Sequence, residues 1–173
     1  MNQPQSPHVK LALYTIQEYS HTGIMPVLPS DVSEKLTGRR AGVFVSLHKR
    51  GELRGCIGTI EPTTGSIAEE IMSNAVNAGY RDYRFEPLDP GEIPELECSV
   101  DVLEPAEPVK DIAELNPKTY GVIVKQGSRK GLLLPDLDGV DTVEQQISIA
   151  LRKAGISEKE GYELLKFKVT RYH

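Results

Sequence analysis

The chain has 173 residues, 39% of them hydrophobic, and a net charge of −5 at neutral pH. That is enough for one domain, or for two small lobes sharing a core, while apolar runs such as Leu132-Leu133-Leu134 are far too short to span a bilayer. The acidic balance, with an isoelectric point near 5.4, argues against non-specific nucleic-acid binding, which depends on neutralising phosphates.

Met1-Asn2-Gln3-Pro4 has neither the basic start nor the apolar core of a secretory signal, so we expect a soluble, cytoplasmic protein. Cys56 and Cys98 are the two cysteines, too few for a disulfide framework and without metal-ligand spacing. In a reducing cytosol both are expected as free thiols.

In chain order, Ser6 and Pro7 read as an N-cap and first helical turn. Val9, Ala12, Leu13 and Ile16 then recur at helical spacing until Gly23. The stretch from Gly23 to Arg40 carries Pro26 and Pro29 and predicts a loop, with a helical turn over Asp31 to Leu36. From Ala41 to His48, Val43, Val45 and Leu47 alternate with Phe44, Ser46 and His48, as in a strand. A polar turn, Lys49-Arg50-Gly51-Glu52, leads into a second strand from Leu53 to Ile60, giving a hairpin. Ser66-Ile67-Ala68-Glu69 has the spacing of a capping box, opening a helix that places Ile67, Ile71, Ala75 and Ala78 on one face and ends at Gly79.

A proline-punctuated loop from Tyr80 to Pro94 carries Asp82, Arg84 and Phe85. Leu96 to Leu103 is the clearest strand, with Leu96, Cys98, Val100 and Val102 on a common face. Glu104-Pro105-Ala106-Glu107-Pro108 reads as a stiff connector and marks the expected lobe boundary. Beyond it, Tyr120 to Gln126 and Gly131 to Pro135 predict a second hairpin across Gly127-Ser128-Arg129-Lys130. Thr142 and Gln145 make another capping box, ahead of a helix burying Val143, Ile147, Ala150 and Leu151 and stopping at Gly155. A short helix over Ser157 to Leu165 and a closing strand over Lys166 to Tyr172 complete the reading. Hairpins and isolated helices, without repeated βαβ units, indicate an α+β fold of antiparallel sheets with flanking helices.

Leu53-Arg54-Gly55-Cys56-Ile57-Gly58 is an odd strand. Glycine inside a strand loses backbone entropy on folding and packs nothing, so two of them bracketing Cys56-Ile57 predict a close approach to the backbone, an opening or a bend. Arg54 and Cys56 are two apart, which in an extended chain puts both on one side. A guanidinium there would favour the thiolate, the reactive form of cysteine.

The hairpin register decides the rest of the neighbourhood. A two-residue turn at Arg50-Gly51 places Val45 opposite Cys56, with Val43 and Leu47 as apolar companions. A three-residue turn with a bulge at Gly51 places Phe44 opposite Cys56 and Ser46 opposite Arg54, with His48 on the cysteine's side. One residue of slip reverses the whole face, and both registers fit the sequence.

At these residues the chain resembles the AMMECR domain family, called AmmeMemoRadiSam system protein A in prokaryotes. The resemblance is carried by Gly42-Val43-Phe44-Val45, Leu53-Arg54-Gly55-Cys56-Ile57-Gly58, Glu61-Pro62, Asp82 with Arg84-Phe85, Glu97 with Ser99-Val100, and Gly131-Leu132-Leu133-Leu134-Pro135. It covers nearly the whole chain. It implies a two-lobed α+β fold with the six-residue motif near a cleft between the lobes, and no settled biochemical activity. The prokaryotic name implies partnership with a Memo-like protein and a radical S-adenosylmethionine enzyme. Tyr83 stands where the family often has proline, Asp136 follows Pro135 where glutamine is common, and the chain has no tryptophan.

Two functional classes follow. In the first, an enzyme or enzyme component binds a small polar or anionic ligand around the motif. Arg54 and Arg84 hold its charge, Gly55 and Gly58 give it access, Glu97 and Ser99 line the neighbouring strand, Asp82 orients an arginine or moves a proton, and Cys56 is a nucleophile. In the second, the motif is a docking surface of a non-catalytic recognition module. Each residue also has a plainer role: Cys56 as a small buried apolar group, Asp82 and Arg84 as an ion pair pinning their loop, His48 as a strand-end polar residue. RNA binding through Lys49, Arg50, Arg129 and Lys130 is disfavoured by the acidic balance. His8, His21, His48 and His173 are scattered and make no metal signature.

Overall fold

A computed structural model of the chain describes residues 6–173; Met1–Gln5, read above for a secretory signal, lie outside the described residues. The chain divides into two compact units. One ends at Val102 and takes in Thr170–His173, and the other runs from Leu103 to Val169.

In the first unit, helix α1 (Pro7–Thr22) begins where the Ser6 hydroxyl accepts the Val9 N–H, and it ends at Gly23 in the left-handed region. Val9, Leu11, Ala12 and Ile16 are its buried apolar groups. The loop that follows is laid onto the core by Leu28 and Val32 and contains a single helical turn, α2 (Glu34–Thr37). Strands β1 (Val43–Lys49) and β2 (Glu52–Gly58) form the first hairpin. Helix α3 (Ile67–Tyr80) starts at Ser66, whose hydroxyl accepts the Glu69 N–H. The box is half made, because the Glu69 carboxylate accepts from Gly65 N instead. A 3₁₀ turn over Pro90–Glu95 leads into β3 (Leu96–Leu103).

The second unit has a short β4 (Glu107–Pro108), then β5 (Gly121–Gln126), β6 (Arg129–Leu133), α4 (Val143–Ala154) and β7 (Glu163–Phe167). At α4 the capping box of Thr142 and Gln145 is complete and Gly155 ends the helix in the left-handed region. The final strand, β8 (Val169–Tyr172), joins the sheet of the first unit.

The two sheets run β2-β1-β3-β8 and β4-β7-β5-β6. The fold is α+β. In the first unit, α1 and α3 cover one face, where Val43, Val45 and Leu47 meet Cys98, Val100 and Val102 across the β1–β3 pair. In the second, α4 packs Ile147, Ala150 and Leu151 against Val122, Val124 and Leu133.

The closing elements differ from expectation. Residues 157–160 form a turn in which the Glu160 carboxylate accepts from Ser157 N, and Glu163–Phe167 is strand rather than helix. Gly161 ends any helical run, and Leu165 and Phe167, two apart, both turn inward, as strand geometry requires. Among the described residues, no helix is long and apolar enough to cross a membrane.

Candidate functional site

The first hairpin adopts neither expected register. Arg50 and Gly51 form a two-residue turn with φ of 53° and 81°, the pair of positive values that a type I′ turn needs. The ladder then slips between Leu47 and His48, so that Arg54 is an extra residue, a β-bulge. Beyond it Leu47 pairs with Gly55, Ser46 with Cys56, Val45 with Ile57 and Phe44 with Gly58. Cys56 therefore lies on the face opposite Val43, Val45 and Leu47. The bulge also takes Arg54 out of phase with Cys56, so the expectation that both share a side fails.

The glycines leave no opening. A Cβ on Gly55 would land on the carbonyl oxygen of Ala78, and a Cβ on Gly58 would land inside the Phe44 ring. Gly55 lets α3 come down onto the edge strand, and Gly58 is the seat of an aromatic ring from the neighbouring strand. Both positions are filled by packing.

β2 is an edge strand, and at Cys56 its outward backbone groups are met by side chains. Cys56 N–H donates to Asp82 Oδ2 at 3.0 Å, and Arg84 Nη2 donates to Cys56 O at 3.0 Å. The two side chains are fastened to each other by Arg84 Nε to Oδ1 at 2.9 Å and Nη2 to Oδ2 at 2.7 Å. Asp82 Oδ1 also accepts from Arg84 N, the local turn that explains their spacing of two. The pair completes the edge as a neighbouring strand would. Asp82 is buried, and its carboxyl is held down to about 2, chiefly by the Arg84 bonds, which with the Cys56 and Arg84 N–H groups outweigh burial.

Arg54 is engaged elsewhere. Its guanidinium grips Glu92, Nε at 3.2 Å and Nη2 at 2.9 Å, and donates to the carbonyls of Glu86 and Pro87. Lys49 reaches the same carboxylate at 3.0 Å. Glu92 is pulled down to about 2, first by Arg54 and then by the N–H of Asp89. The loop after α3 is thus strapped along β2 at two points, Cys56 and Arg54.

The face of the first sheet turned away from α1 and α3 has a definite relief, with Phe44, Ser46, His48, Cys56 and Ser99 half-buried on it. Cys56, Ser46 and Ser99 form one row across β2, β1 and β3. On one side of it lies the row Gly58, Phe44 and Asp101, and on the other Leu53, His48 and Glu97. Three small hydrogen-bonding side chains between bulkier neighbours make a trough. Ser46 and Cys56 are in contact, Oγ to Sγ at 3.2 Å. Asp101 is buried and receives Arg171 of β8 in a bidentate pair, 2.7 and 2.9 Å.

The Cys56 thiol is half-buried and its pKa is raised. Loss of hydration is the largest cause; the Ser46 bond and the Arg84 charge oppose it, and Asp101 and Asp82 add to it. Arg54 does not contribute, which corrects the expectation of a thiolate beside that guanidinium. Cys98 is buried and pushed up to about 12 by desolvation.

Of the candidate residues, the structure brings together Cys56, Asp82 and Arg84, with Ser99 in the same row, and places Gly55 and Gly58 under packed groups. Glu97 is exposed on the same face and makes no ion pair among the described residues. Ser46, Phe44, Asp101 and Arg171 went unselected. The alternation of β3 puts Asp101 on the same side as Glu97 and Ser99, but the slip at Arg54 that brings Ser46 beside Cys56 has no local signature. A third buried carboxylate, Glu70, accepts from the hydroxyls of Thr59, Thr63 and Thr64 and from the Thr63 and Thr64 N–H groups, tying the segment after β2 to α3. Among the described residues, no cluster of histidine, cysteine or carboxylate can hold a metal ion.

The site thus belongs to an α+β protein with two antiparallel sheets, a glycine-bracketed cysteine on an edge strand and an aspartate–arginine clamp over it. The chain belongs to the AMMECR1 family, whose model matches residues 9–173. A protein of Thermotoga maritima is 51% identical over 97% of this chain and 98% of its own length. A protein of Clostridium acetobutylicum is 50% identical over 98% of this chain, which spans only 36% of that longer protein. The crystal structure of the uncharacterized protein PH0010 from Pyrococcus horikoshii superposes with a TM-score of 0.86 at 30% identity, over 95% of this chain and 88% of that one. Neither relative carries a specific functional name.

Proposed function

We propose that the face of the first sheet turned away from α1 and α3 binds a small polar ligand, seated over the Cys56–Ser46–Ser99 row. The observation that carries this is the trough: three adjacent small donors and acceptors, flanked by Phe44 and His48. Two carboxylates around it are matched, Asp82 by Arg84 and Asp101 by Arg171, and with the exposed Glu97 in the flanking row the surroundings suit a ligand without net negative charge. Cys56 takes part as a neutral hydrogen-bonding group, since its thiol is less acidic than a free cysteine. Asp82, with both oxygens occupied and its pKa near 2, positions Cys56 and Arg84 and does not exchange protons near neutrality.

The test is native mass spectrometry of the purified protein, followed by amide chemical shifts on titration with pooled polar metabolites. Wild type should retain or bind a small mass and move the amides of Ser46, Cys56 and Ser99. Ser46→Leu, which fills the trough, should abolish both. Absence of any retained mass and of any shift at those three amides would remove the proposal.

A second reading is favoured by Tyr83, which is 94% exposed although its neighbours Asp82 and Arg84 are locked to β2. A rigidly presented aromatic ring suits a protein contact. It fits a recognition module whose partner, by family association, is a Memo-like protein or a radical S-adenosylmethionine enzyme. Co-purification with such a partner, lost on Tyr83→Ala, is the discriminating result.

A further inference from the structure

The first unit carries a second surface feature, on the helical side of its sheet. A cavity of about 470 Å³ opens beside the first half of α1, lined by buried Leu11 and Leu36, with Tyr14 and Pro29 on its sides and the exposed Lys10 and Asp31 at its rim. After Gly23 the chain doubles back along the helix to reach Pro29. That returning stretch presents Ile24 and Val27 to solvent at 71% and 86% exposure. One half of the helix thus has an apolar hollow beside it, and the chain leaving the other half has an apolar ridge. Contiguous large apolar groups left bare in this way mark an interaction surface.

The helix between them shows which partner fits. Lys10, Tyr14 and Glu18 are four residues apart and form one exposed stripe. Neither Lys10 nor Glu18 makes an ion pair among the described residues. If two copies of α1 lie antiparallel about a two-fold axis at Tyr14, Lys10 of each copy meets Glu18 of the other, twice over. The same operation turns the ridge of each copy toward the hollow of the other, as an isologous contact requires. The mixed signs of Lys10, Glu18 and Asp31 give no cationic excess of the kind that draws a helix to anionic lipid.

We propose that this face of the first unit pairs with a second copy of the chain, through an antiparallel α1–α1 contact centred on Tyr14 with reciprocal Lys10–Glu18 pairs. The proposal is independent of the ligand trough.

Sedimentation velocity of the intact chain across the micromolar range tests it, with circular dichroism to confirm that each variant is folded. Wild type should show a concentration-dependent dimer. Val27→Asp should weaken it at least about tenfold, by burying an unpaired charge at the ridge. Lys10→Glu and Glu18→Lys should each weaken it by setting like charges opposite one another. Mixed in equal amounts, those two variants should form a heterodimer tighter than either homodimer, because every charged pair is then opposite in sign. A monomer throughout the range, a dimer indifferent to Val27→Asp, or a mixture no tighter than its components would overturn the proposal. So would saturable binding of an amphipathic small molecule or of anionic vesicles at this face by a chain that stays monomeric.

Discussion

The two hairpins are built with the same devices and differ where chemistry is concerned. In each, a glycine of the edge strand gives way to a helix carbonyl: Gly55 of β2 to Ala78, and Gly131 of β6 to Ala150. In each sheet another glycine is the seat of a phenyl ring from the adjacent strand, Gly58 under Phe44 and Gly121 under Phe167. Glycines shared in this way by both units report how a helix packs on a hairpin. What the first hairpin has alone is a bulge at Arg54, a side-chain clamp on the backbone of Cys56 and a row of small polar groups on the face turned away from the helices. The second hairpin has an unbroken register from Val122↔Leu133 to Gln126↔Arg129. The specialised features, rather than the glycines, are where function should be sought.

If the glycines are packing devices in both units, Gly55→Ala and Gly131→Ala should be about equally damaging. Each added methyl meets backbone, which cannot move aside as a side chain can, so a loss of about 3 kcal/mol or more is expected for each in chemical denaturation. A tolerated Gly55→Ala beside a damaging Gly131→Ala would break the equivalence and return the glycine to the site.

The clamp comes next in size. Asp82→Asn keeps the shape but discards the charge that holds Arg84, and should lower stability by about 2 kcal/mol at neutral pH, matching the displacement of its carboxyl from the ordinary 3.8 to about 2. Because the folded-state pKa is the depressed one, this stabilisation is complete above the unfolded value and is lost as pH falls through about 2. Wild-type stability should decline across that acid window, and Asp82→Asn should decline less. Glu92, also held near 2, keeps part of the acid dependence in the variant.

Much of this frame was legible because its signals are local. The starts of α1 and α4 and the alternation of β3 are set by residues within a few positions of each other, and the family motif itself is contiguous. The site's geometry depends on distant groups. Arg54 leaves the ladder for Glu92 and for the carbonyls of Glu86 and Pro87, more than thirty residues on, and that excursion shifts Cys56 from Val45 to Ser46. No pattern within β1 or β2 encodes it. The helix expected over Ser157 to Leu165 fails for a related reason: Leu164 and Leu165 are both apolar, and only the pairing of Glu163–Phe167 with β5 and β4 separates a strand from a helix there.

The thiol gives a smaller and more specific effect. With its pKa raised, Cys56 should be alkylated by iodoacetamide more slowly than a free cysteine at neutral pH, and its rate should still be climbing where free cysteine has levelled off. Arg84→Ala should slow it further, since the Arg84 charge is one of the two influences lowering the pKa, whereas Arg54→Ala should leave the profile unchanged. A fast, pH-independent reaction near neutrality would reinstate the nucleophile. Cys98, at about 12 and buried, should stay silent in the same assay.

The smallest effect separates the two turns. In the second hairpin the positive φ falls on Gly127, at 57°, where it is free of strain, but in the first it falls on Arg50, at 53°, as well as on Gly51. A side chain in the left-handed region is unfavourable by about 1–2 kcal/mol, less for asparagine, and asparagine before glycine is the preferred type I′ pair. Arg50→Asn should therefore stabilise the protein by about 0.5–1 kcal/mol in urea unfolding. It gives up the ion pair to Glu95, but Arg50 is 77% exposed there, and so open a pair contributes little. A loss of stability instead would mean that the bonds from Arg50 and Lys49 to Glu95 hold the strapped loop against the hairpin tip, extending the fastening of β2 beyond Arg54 to the turn itself.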